Sequence, residues 1–192
     1  RRLYRTPIYG SSIPTHFQRM AGTYSAVHGM WSTNYYHWIV ECVFRLYTLQ
    51  LYGEPVKLLT RRDLSPMQQE TLAICKPDNV EIVYLDDTET WIQAERFILP
   101  SYLNRGYKDF VHFPRPHLDY FQACMYRAFD IPADRPRDKN IYISRAGASI
   151  RRVTNEAALI DRLADYDFTP YRLEELSLAE QVKLFSRANM IV

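Results

Sequence analysis

Strand-length apolar runs alternate with capped helical patterns through most of this chain, and no other feature constrains its fold as tightly. Val56-Lys57-Leu58-Leu59 reads as a strand, Ser65-Pro66 opens a helix over 65–76, Pro77-Asp78-Asn79 stops it, and Val80 to Leu85 reads as the next strand. A strand, a helix and a strand in succession place the two strands parallel, because the helix must carry the chain back to the starting edge. A further strand is expected over 91–99 and a helix over 116–129. The run from Ile131 to Asp138, with Pro132 and Pro136, is the clearest linker. Beyond it the alternation restarts: strand 140–144, helix 155–164, strand 168–172, helix 177–187 with Ser177 and Glu180 as a capping box, and the apolar end Met190-Ile191-Val192. The expectation is two α/β domains, 1–136 and 137–192, the second ending before its pattern is complete. Residues 1–28, broken by Pro7, Gly10, Pro14 and Gly22, predict only short strands and turns.

The stretch from Gly29 to Leu46 carries the first candidate site. Ser32-Thr33-Asn34 supplies an N-cap for a helix over 34–51. Trp38, Ile39, Cys42, Val43, Leu46 and Leu49 recur at helical spacing as an apolar stripe, while Asn34, His37, Glu41, Arg45 and Thr48 follow one another on another side. A solvated face would favour Lys, Glu and Gln. An amide, an imidazole, a carboxylate and a guanidinium in sequence are instead a hydrogen-bonding set. Glu41 one turn from His37 can orient an imidazole that accepts a proton from a hydroxyl, and the same spacing equally describes an ordinary i,i+4 pair.

The second candidate site follows the restart. Ser144 and Arg145 end a strand, and Arg151, Arg152, Asn155 and Glu156 lead into the next helix. Arginines between a strand and a helix N-terminus sit where α/β folds place phosphates, and the guanidinium fork matches phosphate oxygens. The alternative is a basic surface loop with Asn155 capping its helix and Glu156 set against the helix dipole. Any basic function is local, since 24 Lys and Arg oppose 22 Asp and Glu and leave a formal charge of +2, which argues against nucleic acid as a partner. Cys42, Cys75 and Cys124 are few, distant and set in apolar contexts, so buried thiols in a reducing compartment are expected, with no metal site. His112 and His117, separated by prolines, are expected in a loop and not as ligands. No apolar run approaches the roughly 20 residues that span a bilayer.

Asn34-Tyr35-Tyr36-His37-Trp38-Ile39-Val40-Glu41, the later Tyr142-Ile143-Ser144-Arg145 with Arg151-Arg152-Val153-Thr154-Asn155-Glu156, and the final helix from Leu176 to Phe185 together resemble glycosyltransferase family 61. The resemblance implies a GT-B-like architecture of two Rossmann-like domains. It implies an inverting transfer of sugar from a nucleotide-sugar donor to a glycan acceptor, in surface or capsular polysaccharide synthesis, with no cofactor or metal. His37 or Glu41 would be the base, and Asn34, Tyr35, Tyr36 and Arg45 would lie on the acceptor side. Ser144, Arg145, Arg151, Arg152, Asn155 and Glu156 would bind the donor diphosphate. In that family a His-Gly loop and further helices follow the strand that here ends at Val192, so a C-terminally truncated chain is expected. A cytoplasmic protein, peripheral at the inner face of the membrane, is the implied location. A non-catalytic glycan- or partner-binding remnant is the competing expectation. A metal hydrolase built on His37 and Glu41 would lack a third ligand.

Overall fold

The computed structural model describes residues 18–29, 31–85, 91–103 and 113–192. The turns expected before residue 18, and His112, lie outside these. The chain divides into two compact units, Arg1–Tyr120 and Phe121–Val192. The division falls inside a helix, whereas the expected boundary near 136 lies in the loop after that helix.

The first unit is a parallel four-stranded sheet. Its strands are β1 (Gln18–Ser25), β2 (Val56–Arg61), β3 (Val80–Leu85) and β4 (Ile92–Ile98), in the order β3-β2-β1-β4. The chain moves from β1 outward through β2 to β3 and then crosses to the other side of β1 for β4. Ala26 to Gly29 and Leu99 to Leu103, the segments that follow β1 and β4, therefore leave the sheet at a reversal of strand order, the place where open α/β sheets form their ligand crevice. Between β1 and β2 runs a composite helix: α1 (Tyr35–His37), a π-helical segment (Trp38–Cys42), a 3-10 turn (Val43–Arg45) and α2 (Leu46–Tyr52). Gly53 ends it at φ 78°, a left-handed position that a side chain would strain. Every residue of the expected apolar stripe is buried, and Trp38, Cys42, Leu46 and Leu49 are fully so. The indole of Trp38 donates to Thr71 Oγ1 at 2.7 Å, joining the composite helix to α3 (Pro66–Cys75). Removing that ring would cost about 3–5 kcal/mol by the usual cost of emptying an aromatic site. Helix α3 starts as expected, with Ser65 at the cap and Pro66 at its first position, and Gln68 reaches back to complete a capping box.

Helix α4 (Arg115–Ala128) takes Pro116 and His117, expected in a loop, into its first turn. Pro116 is tolerated there because a first-turn residue has no intrahelical N–H bond to lose. Within the first unit, Tyr120 donates to Cys75 O at 2.7 Å, and His117 packs edge-on against Tyr47.

The second unit repeats the first unit's winding with three parallel strands, β5 (Lys139–Ile143), β6 (Phe168–Tyr171) and β7 (Ala188–Ile191), in the order β6-β5-β7. Helix α5 (Glu156–Ala164) connects β5 to β6, and α6 (Leu178–Ser186) precedes β7 with the expected Ser177–Glu180 capping box. Ile141 and Tyr142 of the central strand and Leu178 and Leu184 of α6 are buried. Both units are thus parallel α/β, Rossmann-like in winding and consistent with the GT-B class. Among the described residues no helix is long and apolar enough to cross a membrane. Cys42, Cys75 and Cys124 are buried free thiols, as expected.

Candidate functional site

In the first unit the candidate residues begin at the cap. Asn34 accepts through Oδ1 from the Tyr36 and His37 amides at 3.0 and 3.4 Å. This satisfies two of the N–H groups a helix start leaves open. The turn ahead of it is held as well, by Asn34 N–H to Trp31 O at 2.9 Å and by Gln68 Nε2 donating to Ser32 O at 2.7 Å. His37 is therefore delivered on a fixed turn. Its Nδ1 lies 2.9 Å from Glu41 Oε1, although that ring nitrogen, shut off from solvent, is not aligned for a hydrogen bond. The His37 side chain is 28% exposed and that of Glu41 14%. With Nδ1 enclosed, the exposed part of the imidazole is the remainder of the ring. Trp31, Tyr35 and Tyr36 are exposed around it, with the Trp31 and Tyr36 rings 6.3 and 5.3 Å from the imidazole. Glu41 belongs to the π-helical segment, an irregularity that often marks functional helices.

Arg45 is elsewhere. It is 1% exposed, and its guanidinium donates to the carbonyls of Val27 at 3.0 Å, Glu41 at 3.3 Å and Pro100. The Tyr102 ring covers it at 4.7 Å. Burial pushes the guanidinium below its ordinary range, opposed by Tyr102, Cys42 and Glu41. The same burial pushes the Cys42 thiol up to about 11, so it is neutral and unreactive at physiological pH. Tyr102 and Gly29 carried no signal in the sequence, because the contact that joins them links the segments after two adjacent strands that are distant in the chain. A side chain at Gly29 would place its Cβ 2.9 Å from the Tyr102 hydroxyl oxygen. His28, also unremarked in the sequence, sits with Nε2 2.6 Å from Thr60 Oγ1, and burial followed by the Arg61 charge lowers its pKa.

In the second unit the candidate donor residues form one loop at the end of central strand β5. Glu156, in the first turn of α5, reaches back with Oε1 to accept from Tyr142 Oη at 2.9 Å and the Arg145 amide at 2.8 Å. That amide, then the Tyr142 and Ser144 hydroxyls and the Arg172 charge, hold its carboxyl below the usual carboxylate range. Arg145 donates from Nε to Arg151 O at 2.9 Å and from Nη2 to Ile150 O at 3.1 Å, closing the loop on itself. Arg152 donates from Nε to Ala148 O. Arg151 is exposed with φ 57°, a left-handed conformation that costs a non-glycine residue about 1–2 kcal/mol. Ser144 is buried and accepts from the Ala146 amide at 3.2 Å. Asn155 stands at the N-cap position of α5 without a side-chain cap bond, so its expected capping role is not filled; Glu156 ties down the loop instead. The structure thus gathers Ser144, Arg145, Arg151, Arg152 and Glu156 in one loop, and Asn34, Tyr35, Tyr36, His37 and Glu41 on one helix start, while Arg45 is turned into the interior. Among the described residues no three His, Cys, Asp or Glu side chains converge as a metal site.

Comparison with known proteins bears on both loops together. No curated protein and no solved structure matched the chain. A family model did, described as Glycosyltransferase 61, and its match over residues 35–192 takes in the helix start with His37 and Glu41, the arginine loop and everything between. The chain therefore belongs to the Glycosyltransferase 61 family, and its general role is that of a glycosyltransferase.

Proposed function

We propose that this protein transfers a sugar from a nucleotide-sugar donor to a hydroxyl of a glycan acceptor with inversion at the anomeric carbon. The observation that carries the reading is the His37–Glu41 pair at 2.9 Å, held on a doubly fastened helix start beside the strand-order reversal of the first unit. Glu41 is the deeper of the two and lies against Nδ1, so His37 is the group a hydroxyl can reach. His37 accepts the hydroxyl proton through Nε2, and Glu41 stabilises the imidazolium that results. The acceptor oxygen forms its bond to the anomeric carbon as the bond from that carbon to the diphosphate oxygen breaks, and the electron pair leaves with the nucleoside diphosphate. One displacement inverts the centre. Positive charge from Arg145 and Arg151 opposes the charge that develops on the leaving group. Arg145 has spent Nε and Nη2 on its own loop, which makes exposed Arg151 the more available partner. Tyr35 and Tyr36 flank the acceptor, and Ser144, Arg152, Asn155 and Glu156 shape the donor loop. The first unit takes the acceptor role and the second the donor role. The product is a surface or capsular polysaccharide, made by a cytoplasmic enzyme peripheral to the inner face of the membrane.

The test is transfer from a panel of nucleotide sugars by the full native protein. His37→Ala and Arg145→Ala are each expected to lower turnover at least tenfold while leaving the melting temperature within a few degrees. Transfer undiminished in both variants would remove these residues from the mechanism.

A further inference from the structure

Arg45 carries an inference that the acceptor-side role given to it by resemblance does not contain. A guanidinium 1% exposed has left water, and among the described residues its contacts are backbone carbonyls and an aromatic face, with no carboxylate hydrogen-bonded to it. Burial of such a charge is costly unless its donors are nearly all used. Here Nη1 and Nη2 are used, and Nε has no partner among the described residues. The carbonyls are not arbitrary. Val27 lies two residues past the end of β1 and Pro100 two residues past the end of β4, and these adjacent parallel strands are where the strand order reverses. The third carbonyl belongs to Glu41. One planar side chain thus joins both walls of the crevice to the backbone of the helix that carries the His37–Glu41 pair. Tyr102 covers the guanidinium and brings its hydroxyl over Gly29, where a Cβ would stand 2.9 Å away, so the two segments meet above the charge as well.

We infer that Arg45 is a positioning residue that sets the spacing of segments 26–29 and 99–102 and fixes Glu41 against them, without touching the acceptor. A planar fork carries donors on separate nitrogens and can meet carbonyls on opposite walls at once, whereas an ammonium holds all its donors on one nitrogen. The consequence for catalysis rests on the function proposed above; the structural claim does not.

Hydrogen exchange followed by mass spectrometry on the full native chain tests it. In Arg45→Met, amides in 26–29 and 99–102 are expected to exchange at least tenfold faster, with β2, β3 and β5 unchanged. Arg45→Lys should free one segment and leave the other. Should Arg45→Met fail to fold, Tyr102→Leu is read instead, with faster exchange expected in both segments. Unchanged exchange in both segments, or equal loosening of every strand, overturns the inference. In the transfer assay the Arg45 variants should lose at least tenfold in kcat with donor KM unchanged within twofold. If His37→Ala retains full transfer while exchange responds as stated, the catalytic reading has failed and the positioning role stands; the converse result separates them the other way.

Discussion

His37 owes its place to an amide three residues earlier. The Asn34 side chain closes two open N–H groups of the turn, and His37 is one of the residues whose amide it holds, so the cap and the proposed base are mechanically one feature. Asn34→Ala should cost about 1 kcal/mol of stability, the usual worth of an N-cap. Under the proposed mechanism its effect on transfer should exceed that. A ring displaced by about 1 Å can lose on the order of a hundredfold in rate. Thermal unfolding beside steady-state kinetics separates the two quantities, and a kinetic loss no larger than the stability loss implies would show that the cap only stabilises the helix. Asn34→Asp, which keeps an accepting oxygen, should restore both.

At the scale of elements, the loop between β5 and α5 is shaped by Glu156 more than by its arginines. Its carboxylate gathers the Tyr142 hydroxyl and the Arg145 amide, and its depressed pKa fixes the sign of the effect: the interaction is in force above the ordinary carboxylate range and is lost as pH falls through the lower folded value. Glu156→Ala should therefore leave the sheet intact, free residues 144–152 to exchange faster, and raise donor KM at least fivefold at pH 7. A donor KM that does not move would separate this loop from donor binding. Other elements were legible beforehand. The Ser65-Pro66 start, the capping box at Ser177 and the strand from Val80 to Leu85 announce themselves through residue type at fixed offsets. The polar face of the first helix was legible only in part. Spacing put Arg45 in line with His37 and Glu41, but the π-helical and 3-10 segments alter the turn between them, and Arg45 ends inside. Two of its three carbonyl partners, Val27 and Pro100, are 18 and 55 residues away, and no local pattern encodes them. Nor could spacing show that Asn155 leaves its cap unfilled, because its neighbour's bonds decide the loop.

For the whole molecule, the same winding appears in both units, with a central first strand, the second strand on one side and the last on the other. Each candidate site follows the central strand of its sheet, which is why two motifs distant in sequence occupy equivalent positions in their own units. Global electrostatics adds little to stability near neutrality, since the formal charge is only +2. Acid sensitivity should instead begin with two histidines of the first unit. Burial, then the Arg61 charge, lowers the pKa of His28, and burial lowers that of His117, whose Nδ1 is enclosed with no partner among the described residues and whose Nε2 lies 3.2 Å from Thr48 Oγ1. In each case the unfolded chain, with a value near 6.5, binds the proton more readily than the folded one. Stability is thus full above that value and falls as pH drops through the folded values. The melting temperature should hold from about pH 8 to 7 and decline below about 6.5, before carboxylates titrate. His28→Gln, which keeps a polar group near Thr60 but has no proton to gain, should flatten part of that decline. A melting temperature that stays level or rises from pH 7 to 5.5 would mean that neither histidine is held neutral by the fold.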